Sequence, residues 1–182
     1  MKKKLLVGAG VVVAVIAALA SWVVLVGNKR SPKDTVSSNV SGVDIQVEYC
    51  RPFKKERLIF GEEKAGALVP FNEYWRLGAN VATTITFSKN ISFAGKPVNA
   101  GTYTMYAVPG PTTWKVVLNS EVGRWGAREA DHGKDVLTVE VPAEQRPAAL
   151  EQFTIGFDGT GGSQMFFAWD TTVVHVPLGA AN

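Results

Sequence analysis

The chain has 182 residues, enough for one ordinary domain and a small appendage, with 46% hydrophobic residues and a formal charge of +3. Five of its 19 basic residues, Lys2, Lys3, Lys4, Lys29 and Arg30, fall in the first 30 positions, which leaves 14 basic against 16 acidic side chains on the remainder. A remainder that is net acidic gives no sign, in its totals, of the basic face expected of a nucleic-acid binder, and a lone cysteine, Cys50, excludes an intramolecular disulfide.

Leu5 to Val26 runs for 22 residues without a charge, as LLVGAGVVVAVIAALASWVVLV. As a helix it would be about 33 Å long, enough to span a hydrocarbon layer of about 30 Å. Lys2 to Lys4 precede it, Asn28, Lys29 and Arg30 follow it, and Trp22 lies near its end, where an indole suits the membrane interface. Ala18-Leu19-Ala20 resembles a signal-peptidase site, but the apolar run continues through Trp22 to Val26 with no polar break before the cut. The segment therefore reads as an uncleaved anchor that meets the lipid bilayer through Leu5–Val26. Gly10, Ala14 and Ala18 form a row of small residues on one face, as in any membrane helix. The basic extreme N-terminus places that end inside and the rest of the chain outside the cytoplasmic membrane, in the periplasm. The expected organisation is an anchor over residues 1–30, a polar spacer over 31–41, a β domain over 42–178 and a tail over 179–182.

After the spacer the apolar pattern changes to a period of two. Val43, Ile45, Val47 and Tyr49 alternate with Asp44, Gln46 and Glu48, the signature of a half-buried strand. Similar runs cover Ala82–Ser88, Gly101–Val108, Thr113–Asn119, Asp135–Val141, Gln152–Asp158, Gln164–Asp170 and Thr172–Leu178, with short pieces at Leu58–Phe60 and Ile91–Phe93. Turn chemistry separates them, most plainly at Ala94-Gly95-Lys96-Pro97, Pro109-Gly110-Pro111 and the glycine-rich Asp158 to Gly162. Pro70–Gly78 reads as one helical turn, and Pro142–Leu150, with two prolines, as a long connection or a short distorted helix. Short strands at regular spacing predict an all-β fold: an antiparallel β-sandwich, jelly-roll-like or partly closed into a barrel, preceded by one transmembrane helix. The domain carries 17 of the 18 aromatic residues, so a core without disulfide staples is feasible. In such a strand Cys50 reads as a small buried hydrophobe.

Three stretches are distinctive: YCRPFKKERLIFG from Tyr49, LVPFNEYWRLGANVATTITFS from Leu68 and AGKPVNAGTYTMYAVP from Ala94. Together they resemble the bacterial family catalogued as domain of unknown function 2911, over about Ser31 to Leu178. Trp75 to Asn80, Arg51-Pro52 and Ala100 to Tyr103 are the most specific parts. The resemblance implies an exported all-β domain, common in Bacteroidota, with no established biochemical role. Val81 stands where the family often has glutamate, and Leu77 where threonine is common. Any role that the glutamate plays in relatives has no counterpart here.

Arg51, Arg57, Trp75, Arg76 and Asn80 form the best candidate ligand-binding set. Guanidinium groups offer planar paired donors to carboxylate or phosphate, and an indole offers a stacking face. The competing reading is structural, with the arginines paired to Glu48 or Glu73 or tied to loop carbonyls, and with Gly78 and Asn80 shaping the backbone. Asp131, His132 and Asp135 lack metal-site spacing, and no metal ligand set or cofactor motif is visible. His132 is expected in a solvated loop. His175 is expected on the face of its strand opposite Val174 and Val176. No catalytic residue is assigned: there is no nucleophile elbow, and the adjacent acids Glu62-Glu63 do not build a glycosidase pair. The sequence thus points to a membrane-anchored envelope module, non-enzymatic, that binds another envelope protein or a small polar or anionic ligand. The alternative is an envelope hydrolase centred on the WRLGAN loop.

Overall fold

The computed structural model describes Val15, Ile16, Ser21 and residues 30–126 and 128–181. The expected membrane helix Leu5–Val26 therefore lies outside the described residues except at Val15, Ile16 and Ser21, and among those described no helix is long and apolar enough to cross a membrane.

The domain is all-β. Its strands are β1 (Lys33–Val40), β2 (Val43–Cys50), β3 (Phe60–Gly61), β4 (Val69–Pro70), β5 (Thr83–Phe87), β6 (Ile91–Phe93), β7 (Lys96–Val98), β8 (Gly101–Val108), β9 (Thr113–Asn119), β10 (Asp135–Asp158) and β11 (Gln164–Ala180). Nine of them form one antiparallel sheet in the order β1-β2-β5-β8-β9-β10-β11-β6-β7, and β3 and β4 make a short parallel pair. The sheet is not closed: β1 and β7 are its outer strands.

The expected pair of separate sheets is instead one sheet folded over a shared core. The cause is the length of β10 and β11. The first part of β10, Asp135 to Pro142, pairs with β9, while Ala143 to Asp158 pairs with β11. Register shifts between Gln145 and Leu150 and between Leu150 and Thr154 bend the strand from one layer into the other. The runs read as separate strands at 135–141 and 152–158 are thus one strand. Pro142–Leu150 is neither a loop nor a helix: Pro142 sits at the end of the β9 ladder and Pro147 in the shifted stretch, where a strand tolerates the missing amide. The two runs at 164–170 and 172–178 likewise merge into β11.

Residues 31–41 are not a spacer. Most of that stretch is β1, paired with β2 from Lys33↔Cys50 to Val40↔Val43. Ser41 and Gly42 close this hairpin with φ of 52° and 79°, the left-handed pair that a two-residue hairpin turn requires. Pro70–Gly78 does not form a helical turn either. Trp75 pairs with Ala107 of β8 through reciprocal backbone bonds of 2.8 Å, which holds the segment extended against the sheet.

One core fills the space between the layers. Ile45, Val47, Ile85 and Met105 from one side meet Phe153, Ile155, Phe167 and Val176 from the other, all at most 1% exposed. At one end of the core Phe60, Trp75, Trp114, Phe153 and Trp169 pack as an aromatic block; Trp75 stacks on Trp169 with ring centroids 6.0 Å apart and meets Phe153 at 4.9 Å. Such contacts contribute about 0.5–1.5 kcal/mol each beyond area burial. Cys50 is buried as expected, and burial raises its thiol pKa, partly opposed by the Asn80 side chain and the Val81 backbone.

Candidate functional site

The WRLGAN segment is an irregular loop whose residues alternate in direction. Trp75 and Leu77 point into the core while Arg76 is half-buried and leaves it. Leu77 and Asn80 adopt positive φ, 51° and 59°, sparsely populated for residues with a Cβ. Gly78, at φ 142°, has no alternative: a Cβ there would lie 2.6 Å from the Cys50 carbonyl oxygen. The loop is pinned from within, since Trp75 Nε1 donates to the Gly78 carbonyl at 3.3 Å and Thr83 Oγ1 to that of Leu77 at 2.6 Å.

Opposite this loop runs the segment after β2. Lys54 N donates to Glu151 O at 2.6 Å, and Lys54 forms an ion pair with Asp170 of β11. Lys55 and Glu56 both take left-handed backbone, φ 49° and 59°, which turns the chain outward. Between the two segments opens a cleft of about 520 Å³. Trp75, Trp169 and Phe53 give it an aromatic floor, and Arg30, Lys55, Arg57 and Arg76 supply its charge. Among the described residues no carboxylate lines it.

The five candidate residues are brought to one end of the domain but do not act as one set. Trp75, Arg57 and Arg76 line the cleft. Arg51 does not: its guanidinium donates to Phe153 O at 3.2 Å, to Asp34 at 3.1 Å and to Thr154 Oγ1 at 2.9 Å, tying β1 and β2 to β10. The expected partner of an arginine, Glu48, pairs instead with Lys33. Asn80 is structural as well, its amide reaching Ser31 O at 3.5 Å and its carbonyl accepting from Gly126 N at 3.0 Å. Arg57 has a double role, since its Nε donates to Lys54 O at 2.9 Å and its Nη2 to Phe53 O while it stands at the rim.

Arg76 differs from the others. Among the described residues no carboxylate pairs with it and no oxygen accepts its hydrogen bonds. Burial lowers its pKa; Tyr74 opposes that shift and the like charge of Arg124 adds to it. Its stem passes Gly126, where a Cβ would come within 2.7 Å of Arg76 Cδ. Arg124 itself is engaged: it donates to Tyr74 Oη and Arg128 O and lies 5.7 Å over the Tyr74 ring. A half-buried guanidinium, unpaired among the described residues and opening on a cleft whose described lining carries no acid, is suited to receive an anion.

Sequence reasoning missed Arg30, Lys55, Phe53 and Trp169. The Phe53-Lys54-Lys55 run next to Arg51-Pro52 carried a signal for two of them; nothing local marks Trp169, which only the path of β11 brings under Trp75.

A second polar cluster lies on the outer face of β8 and β9. Tyr106 Oη donates to Asp135 Oδ2 at 2.7 Å and lies 2.8 Å from His132 Nδ1, while His132 Nε2 faces Glu129 Oε1 at 3.0 Å. Asp135 Oδ1 accepts from Asn119 Nδ2 at 2.7 Å. Adjacent side chains here do not diverge as in an extended strand, because His132–Lys134 form a short 3-10 turn that brings His132 and Asp135 within 3.2 Å. Among the described residues no group of three or more histidine, cysteine or acidic side chains is placed to hold a metal. His175 lies across the strand from the buried Val174 and Val176, 3.4 Å from Asp158.

Fold and cleft together define a sandwich-like β domain with a cationic, aromatic-floored cleft at the end where the chain arrives from its N-terminal segment. The chain belongs to the family described as "Protein of unknown function (DUF2911)", whose model matches residues 31–178. Neither a curated protein nor a solved structure matches it.

Proposed function

We propose that this protein is a membrane-tethered binding module: Leu5–Val26 anchors it in the cytoplasmic membrane, and the β domain outside takes a small anionic ligand into the cleft. One observation carries the reading: four cationic side chains, Arg30, Lys55, Arg57 and Arg76, surround an aromatic floor with no carboxylate among the lining residues. The volume of about 520 Å³ suits a compact ligand. Trp75 and Trp169 favour one with an apolar or ring-shaped body beside its charge. The 22-residue uncharged run and its basic flanks support the tether.

A hydrolase at the WRLGAN loop has less support. The cleft lining offers the Ser31 hydroxyl and guanidinium charge that would suit an oxyanion, but neither a carboxylate nor an imidazole to act as base.

Titration calorimetry with phenyl phosphate as probe tests the reading. Binding should weaken as salt rises, should exceed that of uncharged phenol, and should be lost in Arg76→Ala while the melting temperature holds or rises. No binding at millimolar probe, or loss of binding only together with unfolding, removes the reading.

A further inference from the structure

The register Lys33↔Cys50 puts the start of β1 beside the end of β2. The segments that follow β2, and with them the cleft, therefore gather at the end of the domain where the chain arrives from its N-terminal segment. Arg30 and Ser31 are part of the cleft wall. Arg30 is only four positions beyond Val26, the end of the apolar run; even fully extended those four steps reach about 14 Å. The headgroup layer on one side of a bilayer is about 5–8 Å thick. If Leu5–Val26 spans the membrane, the cleft wall at Arg30 lies within about 14 Å of the hydrocarbon edge, in the headgroup layer or just above it.

The surface around that mouth is apolar in the places where a soluble ligand would need nothing. Leu58 is 46% exposed and Leu68 43% exposed. They sit side by side through the bond from Leu68 N to Leu58 O at 2.9 Å, while their neighbours Ile59 and Val69 turn into the core. Leu68 lines the cleft itself. Next to Asn80, whose amide reaches Ser31 O, Val81 and Trp125 pair across a bridge at 37% and 55% exposure. Exposed leucines and an indole flanked by arginine and lysine make a surface for the membrane interface, where apolar tips enter and cations meet phosphate.

We propose that the cleft holds the phosphate headgroup of an anionic phospholipid drawn from the bilayer that carries the anchor, with Leu58 and Leu68 entering that bilayer. This inference rests on the anion-binding reading of the cleft and names the source of the anion. The four cations take the phosphate, the aromatic floor meets the headgroup or glycerol carbons, and the leucines accompany the acyl chains. The tether makes the encounter intramolecular, so that a modest intrinsic affinity suffices.

The test uses the full chain in neutral maltoside micelles, titrated with dioctanoyl-phosphatidylglycerol, dioctanoyl-phosphatidylcholine and glycerol 3-phosphate, and read by tryptophan fluorescence and calorimetry. Phosphatidylglycerol is expected to bind at least about tenfold more tightly than the other two. Lys55→Ala should weaken it about fivefold, the contribution of one surface cation; Lys55 is exposed and makes no side-chain bond that the loop needs. Leu58→Ser, outside the cleft lining, should weaken the lipid but leave glycerol 3-phosphate unchanged. Equal binding of glycerol 3-phosphate and phosphatidylglycerol, indifferent to Leu58, overturns the lipid inference and leaves the cleft a site for soluble anions. Equal binding of phosphatidylcholine overturns it too, since charge then selects nothing. No binding of any anion removes the cleft reading along with it.

Discussion

The hydroxyl of Tyr49 exchanges two hydrogen bonds with the backbone of Ile155, donating to its carbonyl oxygen at 3.1 Å and accepting from its amide at 3.0 Å. A side chain of β2 thus satisfies a peptide unit of β10 as a neighbouring strand would, and joins the two layers of the folded sheet. Burial raises the phenol pKa, so the donor proton is kept. Tyr49→Phe keeps the edge contact with Phe153 but leaves a buried N–H and C=O unpaired, at about 1–3 kcal/mol each. We expect a loss of about 2–4 kcal/mol in urea unfolding, with the midpoint lowered and the slope unchanged. A loss below about 0.5 kcal/mol would show that water replaces the hydroxyl.

Arg76 is a cation held partly out of water with a second cation, Arg124, nearby and, among the described residues, no carboxylate paired with it. The domain should therefore be more stable without it. Arg76→Met keeps the apolar stem and removes the charge, and is expected to raise stability by about 0.5–2 kcal/mol in ligand-free buffer, the range typical of relieved functional sites. The same variant should no longer gain melting temperature when an anion is added. Destabilisation by Arg76→Met in the absence of any ligand would assign the residue to scaffolding instead.

The sheet was legible where one face of a strand is buried and the other wet. β2, β5 and β6 lie where alternation places them, since Val43, Ile45, Val47, Ile85, Phe87, Ile91 and Phe93 turn inward at regular spacing. β1 was not legible because it is an edge strand. Only Val36 and Val40 are apolar in it, and its main stabilisation is the ladder to β2, which composition does not record. β10 misled for the opposite reason: its prolines are genuine breakers, yet they fall where the strand bends between layers and needs no amide. The site was half legible. Arginine and tryptophan around WRLGAN marked the right loop, but whether each guanidinium meets an acceptor depends on contacts far along the chain. Arg51 finds Asp34 and Thr154, whereas Arg76 finds none among the described residues.

Gly78 and Gly95 both have positive φ, and comparing them separates backbone preference from steric contact. At Gly95, φ 79°, an added Cβ meets nothing within 4 Å, so Gly95→Ala should lose about 1 kcal/mol for the left-handed backbone alone. At Gly78, φ 142°, the added Cβ lies 2.6 Å from a backbone oxygen in the packed floor of the WRLGAN loop. Gly78→Ala should lose at least about 3 kcal/mol and disturb the tryptophan fluorescence through Trp75. Equal losses at the two positions in thermal unfolding would mean that the loop can move away from Cys50.

His132 places both ring nitrogens against acceptors, Nε2 on Glu129 and Nδ1 on Tyr106 and Asp135, an arrangement that only the doubly protonated ring satisfies fully. Its pKa is raised, first by the hydrogen bond to Glu129 and then by Asp135. A raised folded-state pKa means that the contribution is fully present below the unfolded value, about 6.5, and is lost as pH rises through the folded one. The remaining charges nearby, Asp131 and Lys134, pair with each other at 3.6 Å, and Lys134 also reaches Glu121. The imidazole is 56% exposed, so solvent screens the effect and keeps it small. Stability measured for the wild-type chain and His132→Gln at pH 5.5 and pH 8 should therefore differ more at the lower pH. A gap that widens toward pH 8 would require the neutral ring to be the favoured form, and would place the Tyr106 proton on His132 rather than on Asp135.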